Sequence, residues 1–148
     1  MVRYIFSLVC GMLSITFIIL VAGQPLYMIW DFPSIIVANI CPFVLMYILN
    51  GNNALKMAFC APFKKENDKE SLLNANEYFK TLNKLTWRFV IALFIIGIMG
   101  MLRNIEDKAA IGPNLSMALV IIVYAALENV LLIIPFEILI NKKLKKIK

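Results

Sequence analysis

Residues Leu115 to Ile140 read LSMALVIIVYAALENVLLIIPFEILI. Two carboxylates, Glu128 and Glu137, are the only formal charges in these 26 residues. Wound as an α-helix the stretch runs about 39 Å, longer than the hydrocarbon core of a bilayer at about 30 Å. A span of this length must tilt or protrude, and Pro135 stands where it would kink. Outward from it, three more apolar runs follow the same logic: Ile5–Ala22, Ser34–Leu49 and Trp87–Leu102. Apolar residues make up 61% of the 148-residue chain and charged residues 16%, against about half and about a quarter in soluble domains. The expectation is an all-α membrane protein, a single domain over residues 1–148 with four transmembrane helices at 5–22, 34–49, 87–102 and 115–140.

Each run carries its own signals. The first is 18 residues without a charge and holds Ser7, Gly11 and Ser14 on one face, a small-residue stripe that lets helices approach closely in lipid. It is too long for the apolar region of a cleaved signal peptide, and the rest of the chain needs a partner that starts inside. Residues 23–33, GQPLYMIWDFP, connect to the second run, with Tyr27 and Trp30 suited to an interface. Asn39 and Pro42 interrupt the second run and are tolerated where neighbouring helices satisfy the freed backbone groups. Residues 50–86 are the one long polar stretch, opening on the turn signal NGNN. Within it Leu72, Ala75, Phe79, Leu82 and Thr86 recur at helical spacing. That pattern reads either as an amphipathic helix running into the third span or as a solvated connector, and the connector is expected. Arg88 lies near enough to the end of the third span to snorkel. A polar loop, 103–114, precedes the fourth span, and the chain ends in INKKLKKIK.

Charge placement orients the bundle. Arg3, the seven cations of residues 50–88 and the five tail lysines put thirteen positive charges on one side, against Arg103 and Lys108 on the other. The positive-inside rule then places both termini and the 50–86 connection in the cytoplasm. The net charge of +6 is thereby explained without nucleic acid. There is no His, and Cys10, Cys41 and Cys60 form no close-spaced pair. No metal site, disulfide framework, nucleophile–base pair or phosphate loop is expected, so no enzyme and no cofactor.

Glu128 is the candidate site, because an acid inside a span is costly and needs a reason. At 100° per residue it lies about 20° off two full turns from Ile121, with Tyr124 one turn back on the same face. Two readings stay open: a pore-facing carboxyl that titrates, or one paired with Arg88 or a Lys at the inner boundary. Glu137 is expected at the interface.

Residues 101–119, MLRNIEDKAAIGPNLSMAL, resemble the segment between the last two helices of the MotA, TolQ and ExbB family, and MotA in particular. Asn104, Asp107, Ala110, Ile111, Gly112, Pro113, Ala118 and Leu119 match it in place, and Pro113 suits a first helical turn. Asp31, Pro33 and Ser34 before the second span, and Phe59 to Lys65 after it, are similar more loosely. The resemblance implies a proton- or sodium-driven motor or energy-transducing subunit of the bacterial inner membrane. It further implies a homo-oligomeric ring, a pentamer, with helices 3 and 4 lining a central pore. The partner would be a dimer of a single-span protein of MotB, TolR or ExbD type.

The chain departs from that pattern in four respects. About 37 residues replace a long cytoplasmic domain between helices 2 and 3, and the usual proline entering helix 3 is absent. Leu93 and Phe94 stand where helix 3 of the family carries Gly-Thr. Ile121 and Ile122 replace a Thr-Thr pair before Tyr124, and Ala125 replaces Gly. The pore-facing set implied here is Glu128, Tyr124, Ile121 and Phe94. The alternative function is a non-conducting scaffold or a degenerate ring protein.

Overall fold

The computed structural model describes residues 32–64 and 68–147, together with Val9, Gly11, Leu13, Phe17, Val21 and Gly23. The described residues are helix, turn and loop, with no strand among them. The five described residues of the first expected span are helical; the rest of that span and most of the 23–33 connection lie outside the described residues.

Helix α1 (Phe32–Ile35) passes through a π-helical segment, Ile36–Ile40, into α2 (Cys41–Cys60). Helix α3 follows (Lys69–Arg103), and then α4 (Lys108–Glu128), a second π segment (Asn129–Ile133) and α5 (Ile134–Leu144). The last three join into one rod of 37 residues. Among the described residues two helices, α3 and this rod, are long and apolar enough to cross a membrane. Residues 34–49 are helical throughout, as expected of the second run.

Both π segments stand one turn before a proline. Pro42 and Pro135 occupy the first turn of α2 and α5. Each lacks an N–H, and each ring crowds the carbonyl four residues back, at Ala38 or Leu131. Widening the turn to i→i+5 bonding relieves that crowding while the axis continues. Helix α2 is broken further on by Gly51, whose φ of 75° and ψ of 170° take the backbone out of the helix. Only glycine adopts this conformation at little cost, so the NGNN turn signal is a sharp corner inside a helical segment.

Helix α3 corrects the sequence reading of residues 50–86. It begins at Lys69, not at Trp87, and runs 35 residues without a break. Leu72, Ala75, Phe79, Leu82 and Thr86, the predicted stripe, are each at most 1% exposed. Leu72, Ala75, Phe79 and Leu82 share one core with Met46 and Ala58 of α2, with Ala61 just past its end, and with Ile133, Phe136 and Ile140 of the rod. Phe59, Phe79 and Phe136 stack at ring separations of 5.0–5.3 Å. A solvated connector could not bury that stripe; the second half of the rod supplies the apolar surface that covers it. This also accounts for the excess length of the fourth apolar run.

The α3–α4 loop is shorter than the expected 103–114, because α4 begins at Lys108. Only Asn104 to Asp107 lie outside helix. Pro113 consequently falls in the second turn of α4, not the first.

Helix α3 and the rod pack antiparallel in one register. A Cβ at Gly97 would stand 2.8 Å from the Ala118 Cβ, so the backbones approach as closely as only glycine permits. Further along, Thr86 meets Glu128, and beyond that Phe79 meets Phe136. Gly11 on the first run meets only the movable end of a side chain, a Cβ there standing 2.9 Å from Leu131 Cδ2.

Candidate functional site

The register of α3 against the rod places Glu128 beside Thr86. The Thr86 hydroxyl donates to Glu128 Oε1 at 3.4 Å. Thr86 is fully buried and Glu128 half-buried. The other carboxylate oxygen, Oε2, is buried with no hydrogen-bond partner. Arg88, the cation that the paired reading assigned to Glu128, is exposed and forms no ion pair with it. The ion pair among the described residues joins Lys80 to Glu77 on the surface at 3.5 Å. The hydroxyl therefore comes from a residue the sequence reading used only as part of a packing stripe. The clue was chemical: a threonine in an otherwise apolar stripe, next to a span, needs an acceptor when buried.

Two further buried acceptors lie on the elements that pack here. Asn83, one turn before Thr86, and Asn39, in the first π segment, each leave Oδ1 buried without a donor. Asn129 follows Glu128 and opens the second π segment; its side-chain amide donates to the Ala125 carbonyl at 3.0 Å. Its backbone N–H is shared between the Ala125 and Ala126 carbonyls. The unpartnered Oε2 of Glu128 is an acceptor that a proton, a water or a cation can complete.

Ile121 and Tyr124 sit on the same stripe as Glu128, and the structure buries both inside the chain. With Ala125 they pack on Ala38 and Val90 in a second core cluster, flanked by Leu93 and Ile122. Phe94 is half-buried on α3. The Glu128 stripe thus lies at the junction of α3, the rod and the π segment before α2 in a single chain.

The motif loop has an architectural role. Asn104 caps α3, its N–H bonded to Met101 O and its side-chain amide to Gly100 O at 3.2 Å. Asp107 caps α4, accepting the Ala109 N–H at 3.0 Å on Oδ1, a geometry for which Asp is favoured. The Asp107 N–H closes the turn on Asn104 O at 3.0 Å. Gly112 and Pro113 are exposed, and a Cβ at Gly112 would meet nothing.

No family model matches the chain, and no solved structure matches it. Among curated proteins the chain is similar to Motility protein A of Borreliella burgdorferi, at 31% identity over 67 residues. The match covers 45% of this chain and 26% of the relative, so the chain spans about a quarter of the length of the protein it resembles.

Proposed function

We propose that the chain is a membrane subunit of an ion-driven energy-transducing complex, powered by protons or sodium. In this reading four helices cross the inner membrane of a bacterium, with both termini and residues 50–86 on the cytoplasmic side. Copies form a ring, a pentamer, round the helices of a single-span partner dimer. The observation that carries the reading is the Thr86–Glu128 pair: an acid in an apolar rod, held by a hydroxyl from the facing helix, with one oxygen left unpartnered. The likeness to Motility protein A supports the class of complex. The partner supplies the second ion-binding acid, and this chain performs no catalytic step of its own.

The test is ion flux in vesicles that contain the chain and its partner. Glu128→Gln keeps the shape of the side chain and cannot ionise. Loss of flux with an intact assembly supports the reading. Unchanged flux with Glu128→Gln, together with failed assembly of Glu128→Ala, makes the carboxyl architectural. The second reading, a non-conducting scaffold, is favoured by the absence of hydroxyls at Phe94, Ile121 and Ile122; it predicts no flux with any partner.

A further inference from the structure

Helix α3 begins and α5 ends at the same end of the molecule, so two charged stretches of sequence meet there. Residues 64–70 and 141–148 carry eight lysines against three carboxylates. A groove of about 380 Å³ lies at this end, lined by Lys69, Leu73, Asn141, Leu144 and Lys145. Lys69 and Lys145 are exposed, and neither is in an ion pair among the described residues. Asp68 and Glu70, on either side of Lys69 in the chain, are exposed as well and leave it unpaired. Lys143 is committed elsewhere: its ammonium donates to the carbonyls of Ala61 and Lys64 and ties the tail to the end of α2. The apolar part of the groove is Leu73, which is 46% exposed, and Leu144, which is half-buried.

The position of the groove narrows the choice of ligand. Lys69 stands nineteen residues before Arg88 on α3, about 28 Å along the helix axis. With Arg88 at the inner edge of the third span, the groove lies well out in the cytoplasm. Charges are screened within about 8 Å at physiological salt, so headgroups of the bilayer are out of its reach. Among the described residues no arginine and no aromatic side chain lines the groove, and those are the groups on which nucleic-acid bases stack. The lining offers a different pattern. Leu73 follows Lys69 by one turn of α3, and Asn141 precedes Lys145 by one turn of α5. Each wall presents a lysine toward the tip of the molecule, with a leucine or an amide one turn further in.

We infer that this groove docks an acidic segment of a cytoplasmic protein, its carboxylates on Lys69 and Lys145 and an apolar side chain on Leu73 and Leu144. The excess of lysines at this end sets the sign of the partner and speeds its approach. The leucines supply the contact that distinguishes a docked segment from a diffuse counter-charge. The inference rests on the cytoplasmic placement of residues 50–86 and of the tail, and it is independent of ion conduction.

The test is binding of labelled synthetic peptides to the full chain in neutral detergent, read by fluorescence anisotropy. A peptide of repeated Glu-Leu-Glu is compared with Glu-Ser-Glu and Lys-Leu-Lys peptides of the same length. The Glu-Leu-Glu peptide is expected to bind, the Glu-Ser-Glu peptide severalfold more weakly, and the Lys-Leu-Lys peptide not at all. The Lys69→Gln/Lys145→Gln double variant is expected to weaken binding roughly 5- to 25-fold, an exposed ion pair contributing up to about fivefold. A control pair, Lys80→Gln/Lys84→Gln, removes equal charge elsewhere on α3 and is expected to leave affinity unchanged. The peptide comparison uses the unaltered chain, so it decides the matter even if the double variant fails to fold. Equal weakening by the control pair, or equal binding of the two acidic peptides, would reduce the effect to general surface charge and overturn the inference. Displacement of the peptide by a short DNA duplex at equal charge would point to nucleic acid and overturn it too. A groove-lysine variant that changes the oligomer mass would mark the lysines as an interface between copies, which also overturns it. Binding in detergent does not depend on sidedness, so a failed orientation is recognised separately, by cysteine labelling.

Discussion

At the scale of single residues, the Thr86–Glu128 hydrogen bond sets the first prediction. At 3.4 Å it is long for an O–H donor, and hydrogen bonds between membrane helices average about 0.6 kcal/mol. A double-mutant cycle with Thr86→Val and Glu128→Gln is therefore expected to give a coupling of about 0.5–1 kcal/mol, read by unfolding in detergent. Thr86→Ser keeps the donor and is expected to retain most of it. Zero coupling would show that the two side chains are neighbours without a shared bond. Asp107 gives a cleaner residue-level case, since its carboxylate satisfies an otherwise orphan N–H at the start of α4. Asp107→Ala is expected to cost about 1 kcal/mol, and Asp107→Asn or Asp107→Ser much less.

At the scale of elements, the close approach of α3 and α4 turns on one glycine of two. A Cβ on Gly97 would sit 2.8 Å from the Ala118 Cβ and 3.3 Å from its Cα, atoms that cannot move without moving the helix. Three residues on, a Cβ on Gly100 would meet nothing within 4 Å. Gly97→Ala is therefore expected to destabilise the pair by about 1–3 kcal/mol through overpacking. Gly100→Ala is expected to be neutral or to stabilise by up to about 1 kcal/mol through helix propensity. Thermal unfolding of the two variants side by side checks the contrast; equal effects would mean that the Gly97 contact carries no constraint.

At the scale of the whole molecule, two cores share one pair of long helices. The one built on Val90, Ile121, Tyr124 and Ala125 lies between the apolar stretch of α3 and α4. The other, built on Leu72, Phe79, Leu82, Ile133 and Phe136, lies where the exposed face of α3 is charged. Phe79→Ala in the second core is expected to cost about 3–5 kcal/mol, because a fully buried ring leaves a cavity among three packed elements. The α2 arm beyond Gly51 would then lose its seat, and protease sensitivity at residues 52–64 is the readout. Topology is tested separately. Cysteines introduced at Asn52 and Asn114 are expected to label from opposite sides of the membrane, and labelling of both from outside would reject the orientation.

Hydrophobic runs, the helical period of the 72–86 stripe and the turn at Gly51 were all legible in the amino-acid sequence. Each depends on the chemistry of near neighbours along the chain. So was the singularity of Glu128, because an acid in an apolar run stands out whatever surrounds it. Three features required the tertiary structure. The stripe of residues 72–86 could equally have faced water as a frayed connector, and it became the core of a 35-residue helix because the far half of the rod supplied the surface that covers it. Thr86 read as packing until the antiparallel register brought it to Glu128 across 42 residues of chain. The burial of Ile121 and Tyr124 inside the subunit depends on which helix lies against α4, and helical periodicity names a face without naming its neighbour. Local patterns are dictated by bonded geometry and hydrophobicity, while pairing across the bundle is decided by the fit of glycine, proline and aromatic shapes between distant segments.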